Sequence, residues 1–181
     1  MNAEKMTQKA MEALEAAHAD AVRKGHPELT TLHLLQALLE QEHGLTGNLL
    51  GKMGKDPGML KQAVSEELGK LPTFNGASGR VAASGGMNQV LVRSDDEAKQ
   101  LGDEYVSVEH LLLAILEEGK SGPAGRLLQE HSIRRKELLK TLEDVRGGQR
   151  VTNRNPEDTF EALEKYGSDL TLLAREGKLD P

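Results

Sequence analysis

Three short stretches of this chain hold residues that do chemistry in other settings. Gly119-Lys120-Ser121 has the lysine and hydroxyl that close a phosphate-binding loop, in which backbone amides cradle the phosphates and the lysine neutralises them. Such a loop needs a further glycine five positions earlier, follows a strand and opens a helix. The position five before Gly119 is Ala114, inside a leucine-rich helix, so this stretch closes a helix instead. Gly47 to Met53, "GNLLGKM", has the wrong spacing and lacks the hydroxyl. The six histidines form no H-E-x-x-H, and no i, i+4 pair of them shares a helix face, so no metal site is predicted. Spacing supports no Ser-His-Asp grouping. Cysteine is absent, which removes disulfides and thiol catalysis and points to a cytoplasmic location. The chain is expected to have no catalytic residue, no bound cofactor and no metal.

Partners other than protein are also disfavoured. The net charge of −6 opposes a general affinity for nucleic acid. A single Arg146-Gly147-Gly148, without stacking aromatics, is explained by a helix stop followed by a linker. Arg134-Arg135-Lys136 opens a helix and is expected to be its solvated face. No run approaches 18 apolar residues, and the N-terminus has no apolar core of a secretory signal, so no membrane partner is expected.

What remains is a set of helices. With 2% aromatics and no Trp, the core must be built from Leu, Ala, Val and Met, which favours an all-α fold. Thr7 is an N-cap, and a first helix follows from about Gln8 to Lys24, with the stripe Met11, Leu14, His18, Ala21 and Val22. Gly25 stops it. Thr30 caps a second helix carrying Leu32, Leu34, Leu35, Leu38 and Leu39. A short third helix holds Leu49 and Leu50. Asp56-Pro57 opens a fourth, with Leu60, Val64 and Leu68 inward. From Pro72 to about Ser84 the composition changes to Gly, Ser, Asn and Ala, which reads as a linker.

The same grammar then restarts. Offset by 77 residues, Thr7 maps to Ser84, Leu14 to Leu91, Gly25 to Gly102, Thr30 to Ser107 and His33 to His110. After one inserted residue, Leu49-Leu50 maps to Leu127-Leu128, Leu60 to Leu138 and Val64 to Leu142. Chance can duplicate one leucine-rich helix, but not the caps and stops with it. The chain is therefore two four-helix repeats, about 7–71 and about 84–146, eight helices in all. Each is too small to bury its own apolar face, so the two must pack about a pseudo-twofold axis around one core. Residues 147–155 read as a second linker. Asn155-Pro156 opens a short helical tail through Phe160, Leu163 and Tyr166, and a last helix carries Leu170, Leu173 and Ala174. Residues 156–181 are too few for a core of their own.

The doubled "GH…HLLQALL" and "GDEYVSVEHLLLAIL" resemble the N-terminal domain of the Clp family of AAA+ unfoldases. The segment "RGGQRVTNRNPEDTFEALEKYGSDLTLLAREGKLDP" is similar to the junction between that domain and the first ATPase module, in the form found in ClpB-type disaggregases. The resemblance implies a Clp N-domain over 1–146, a linker over 147–155, and the beginning of the first AAA+ module over 156–181. The parent protein is then expected to bind ATP and Mg, to form a homohexamer and to cooperate with a DnaK-type chaperone. This portion is expected to be monomeric.

A doubled helical bundle of this kind offers a groove between its first helices, and the resemblance implies capture of unfolded or aggregated proteins there. Leu14 and Leu91, being equivalent, fit either the lining of such a groove or plain core. The resemblance also implicates positions matching Thr7, Asp103 and Glu109. Each has a structural role besides: Thr7 as a cap, Asp103 after the Gly102 stop, and Glu109 in the first turn of its helix, where a carboxylate favours the dipole. Glu109 stands where the first repeat has Leu32, so any acidic rim belongs to the second repeat alone. The alternative within the resemblance is an adaptor-docking N-domain of a protease-linked Clp unfoldase.

Overall fold

Five helices begin at the hydroxyl or carboxylate caps that the sequence places at Thr7, Thr30, Asp56, Ser84 and Ser107. In the computed structural model, which describes residues 3–74, 80–158 and 160, Thr7 Oγ1 accepts from the Ala10 amide at 3.2 Å and Ser84 Oγ from the Met87 amide at 3.1 Å. Asp56 Oδ1 accepts from the Gly58 amide at 2.9 Å, with Pro57 at the first helical position. The first repeat contains α1 (Gln8–Arg23), β1 (Glu28–Leu29), α2 (Thr31–Glu40), α3 (Leu45–Lys52) and α4 (Pro57–Gly69). The second contains β2 (Ala82–Ala83), α5 (Gly85–Gln100), α6 (Val108–Glu117), α7 (Pro123–Glu130) and α8 (Arg135–Arg146). Gly25 and Gly102 follow α1 and α5 at φ of 69° and 72°, a left-handed turn that costs glycine little. The Gly119–Ser121 stretch is a single 3-10 turn closing α6.

The pseudo-twofold is visible in the backbone. Leu29 in the first repeat pairs in parallel with Ala83, just ahead of α5, and the Ser84 amide donates to Leu29 O at 2.9 Å. Their counterparts do the same: Met6 bridges Val106, and the Thr7 amide donates to Val106 O at 2.9 Å. Each repeat thus receives the start of the other's first helix. Helix packing follows the same rule, with α3 on α8 matched by α7 on α4, and α1 on α6 matched by α5 on α2. The centre is α2 and α6, whose Leu34, Leu35, Leu38, Leu111, Leu112, Leu113 and Ile115 are all fully buried. At about 1.5–3 kcal/mol per buried aliphatic side chain, this pair is a large contributor to the core's hydrophobic driving force.

The inward face of α1 differs from the expected stripe. Ala10, Ala13, Ala17 and Ala21 are fully buried, whereas Met11 and Leu14 are half-buried, His18 is exposed and Val22 is 40% exposed. These small alanine side chains let the α1 backbone lie close on α2. The counterparts of these alanines on α5, Met87, Val90, Ser94 and Ala98, are buried in the same register. The Pro72–Ser84 segment, expected as plain linker, contributes β2. The expected linker 147–155 is also not free: Val151 is fully buried, while its neighbours on both sides are exposed. Residues 156–158 are helical, as Asn155-Pro156 predicts. The expected tail beyond Phe160, including Leu163, Tyr166, Leu170, Leu173 and Ala174, lies outside the described residues.

Candidate functional site

The densest polar cluster of the described residues lies where α6 begins and α8 ends. Gly102 turns the chain out of α5 so that Asp103 faces α6. Ser107 caps α6, and the third helical residue, His110, reaches back so that its Nδ1 accepts from the Ser107 amide at 2.8 Å. This is a capping box with histidine in the place of the usual Glu or Gln. Because Nδ1 accepts, Nε2 carries the proton and donates to Asp103 Oδ2 at 2.7 Å. Arg146, in the last turn of α8, donates from Nη1 to the same Oδ2 at 2.9 Å and from Nη2 to Glu109 Oε1. Asp103 Oδ1 accepts from the Val151 amide at 2.9 Å. Burial alone would raise the Asp103 pKa; the donors His110, Val151 N–H and Arg146 together hold it below the ordinary value. Burial would likewise weaken the hold of Arg146 on its proton, and Glu109 and Asp103 more than offset this.

A third carboxylate approaches from the chain beyond α8. Glu157 Oε1 accepts from Thr7 Oγ1 at 2.7 Å and from the Val108 amide at 3.4 Å. Burial, reinforced by the negative charge of Glu109, pushes its pKa up to about 7. Phe160 is buried beside it, with its ring centroid 5.4 Å from the Arg146 guanidinium carbon.

The structure brings Thr7, Asp103 and Glu109 together at the start of α6 in two adjoining hydrogen-bonded groups: Arg146 joins Asp103 to Glu109, and Glu157 joins Thr7 to the Val108 amide. All three are buried, Thr7 and Glu109 at 0% exposure. Leu14 and Leu91 are apart from both groups. They are half-buried at the outer margin of the core, Leu14 two helical turns, or about 10 Å, along α1 from the Thr7 cap. The residues that tie these groups together, Arg146, His110, Glu157 and Phe160, were not singled out as site residues from sequence. One signal was present for Arg146: it occupies the repeat register of Leu68, so a charge stands at a core position, as Glu109 does at the register of Leu32. No spacing pointed to Glu157, since it lies outside the duplicated units.

Arg135 also corrects an expectation. Instead of a solvated charge, it forms a bidentate pair with Glu97 on α5, both distances 2.7 Å, and a third bond to Glu117 at 3.0 Å. Among the described residues, no helix is long and apolar enough to cross a membrane.

Comparison with known proteins places this geometry. The profile of the Clp repeat (R) N-terminal domain matches residues 5–131. Across its whole length the chain is 50% identical to the chaperone protein ClpB of Nitratidesulfovibrio vulgaris and 44% identical to that of Bacillus anthracis. It spans 21% of the length of each. Among solved structures, the Hsp104 N-terminal domain of Candida albicans superposes with a TM-score of 0.73 at 24% identity, covering 84% of this chain and 99% of that one. A ClpV N-domain in complex with a VipB peptide gives a TM-score of 0.60 at 21% identity, over 77% and 86% of the two chains. These structural likenesses concern the fold. The chain belongs to the Clp repeat N-terminal domain family, in the form carried by ClpB chaperones.

Proposed function

We propose that this domain is the client-capture module of a ClpB-type disaggregase. It takes exposed apolar segments of unfolded or aggregated polypeptides weakly, with little sequence preference, and presents them to the ATPase ring of the parent protein. The parent's ATP and Mg chemistry, homohexameric ring, cooperation with a DnaK-type chaperone and cytoplasmic location belong to the same reading. So does the placement of 156–181 at the start of the first AAA+ module.

One observation carries the reading. In a chain that aligns along its whole length with ClpB chaperones, the first helix of each repeat leaves apolar side chains at its outer margin. These are Met11, Leu14 and Val22 on α1, and Leu91 and the 63%-exposed Val92 on α5. Non-directional contact with such side chains suits clients that share only exposed apolar surface. Leu14 and Leu91 are the contacts we assign to the client. Thr7, Asp103 and Glu109 are the polar contacts, reached only when the chain covering them moves.

Titration of the isotopically labelled 181-residue chain with casein tests this by NMR. Shifts around Leu14 and Leu91, reduced by Leu14→Ser and Leu91→Ser, are expected. Tight binding of one folded protein, with no response to casein, would instead favour the adaptor-docking reading.

A further inference from the structure

Residues 151–158 and 160 are seated on the domain by contacts of three kinds. Backbone bonds hold their extended part: the Glu104 amide donates to Val151 O at 2.9 Å, the Val151 amide to Asp103 Oδ1 at 2.9 Å, and the Gln8 amide to Arg154 O at 2.8 Å. A carboxylate, Glu157, binds the Thr7 hydroxyl and the first amide of α6. An aromatic ring, Phe160, lies against Arg146. Val151, Glu157 and Phe160 are all buried.

The pseudo-symmetric face of the molecule explains why this stretch is needed. There the position equivalent to Val108 is Thr31, and its hydroxyl donates to both carboxylate oxygens of Glu118, at 3.0 and 2.9 Å. Glu118 comes from inside the fold, one residue beyond α6. Its counterpart one residue beyond α2 is Gln41, which turns away and donates to Lys9 O at 2.9 Å. On the face bearing Thr7 and Val108, the repeats therefore bring no carboxylate to the Thr7 hydroxyl and the Val108 amide, and Glu157 supplies one from outside them. The fit is incomplete: Glu157 Oε2, Glu109 Oε2 and Arg146 Nε are buried without hydrogen-bond partners among the described residues.

We infer that the Thr7–Asp103–Glu109 face is a docking site for an extended segment ending in a helical turn with a carboxylate and, three residues on, an aromatic ring. Its resident occupant is residues 151–158 and 160 of the same chain, which exclude other polypeptide from it. This rests on the client-capture reading only in naming what is excluded. Met11, Leu14, Leu91 and Val92 stay outside the covered face, so apolar capture and the docked segment coexist, while contact with Thr7 or Glu109 requires displacement.

The test uses the 181-residue chain and a synthetic peptide of residues 149–160. In the unaltered chain, amide exchange at Gln8, Glu104 and Val151 should be slowed at least tenfold relative to an unstructured chain. Carrying Glu157→Lys and Phe160→Ala, the chain should lose this protection while α2 and α6 keep theirs. Peptide added in trans should then shift the Thr7, Val106 and Asp103 signals of the variant but not those of the unaltered chain, whose face is filled. Full-rate exchange at the three amides of the unaltered chain would overturn the docking without any variant. Peptide-induced shifts of equal size in both chains, or in neither, would overturn the exclusion. Casein provides a separate arm. A several-fold affinity gain in the variant, with new shifts at Thr7, supports exclusion of clients; an unchanged affinity counts against it. Absence of casein binding by both chains sinks the client-capture reading, while the peptide result still decides the docking.

Discussion

The two repeats solve one packing problem with opposite chemistry. At three equivalent positions the first repeat has His26, Leu32 and Leu68, and the second has Asp103, Glu109 and Arg146. In both, the histidine at the third helical position completes a capping box: the Thr30 amide donates to His33 Nδ1 at 3.0 Å, and Ser107 repeats this with His110. In the first repeat His33 Nε2 then donates to His26 Nδ1 at 2.8 Å, and a neutral pair ends the network. Leu32 and Leu68 are simply core. In the second, the partner is a carboxylate, which demands a cation, and Arg146 is shared with a further carboxylate. The helical scaffold does not require charges at these registers, because the first repeat forms the same elements with His26, Leu32 and Leu68. They make one face of the molecule polar, and that is the face on which the chain's downstream segment sits.

Removing one member of the charged set should have the largest effect. Arg146→Leu leaves Asp103 and Glu109 buried without their cation and is expected to cost about 3–5 kcal/mol in urea unfolding. Converting the whole set to that of the first repeat, with Asp103→His, Glu109→Leu and Arg146→Leu together, should cost far less, within about 2 kcal/mol of the unaltered chain. A triple variant as unstable as the single one would show that the two repeats are not interchangeable at these positions.

How much of this was legible beforehand follows from the same comparison. The caps, stops and leucine registers are local signals, and the duplication supplied many of them twice, as Thr7 with Ser84, Thr30 with Ser107 and Gly25 with Gly102, so the eight helices and the pseudo-twofold could be read from sequence. The inward face of α1 was not. Hydrophobicity nominated Met11, Leu14 and Val22, but closeness of approach decided for the alanines. Thr7, Asp103 and Glu109 entered as candidates through resemblance, and their meeting at the start of α6 depends on Arg146 and Glu157. The Thr7–Glu157 contact spans 150 residues. No periodicity announces a pair that distant.

Acid should act on the two halves in different ways. Burial, with the neighbouring His26, lowers the His33 pKa to about 4. The unfolded chain therefore binds a proton near the ordinary value of 6.5 that the folded chain refuses, and stability falls as pH drops from about 6.5 toward 4. His33→Gln should flatten that part of the stability profile measured by chemical denaturation. Glu157 has the opposite sign. Its carboxyl keeps a proton when docked up to about pH 7, so its contribution to docking is greatest at low pH and is lost as pH rises through about 7. Exchange at the Val151 amide, corrected for intrinsic rate, should accelerate as pH rises from about 4.5 to about 7 and level off above that, and Glu157→Gln should remove the dependence.

The smallest effect separates the two caps. Ser84→Ala should cost about 1 kcal/mol, the ordinary loss of an N-cap. Thr7→Ala removes both a cap and the hydroxyl that Glu157 binds, so it should also loosen the downstream segment. Equal exchange at Val151 in the two variants would separate Thr7 from that segment.

The central claim is that apolar capture occurs along the first helices while the polar face is held by the chain itself. The most direct measurement is residue-resolved NMR titration of the unaltered 181-residue chain with casein. Shifts confined to the surroundings of Leu14 and Leu91, with Thr7 and Glu109 unmoved, are the predicted result. Shifts that begin at Thr7 and Glu109 and leave Leu14 and Leu91 untouched would contradict it.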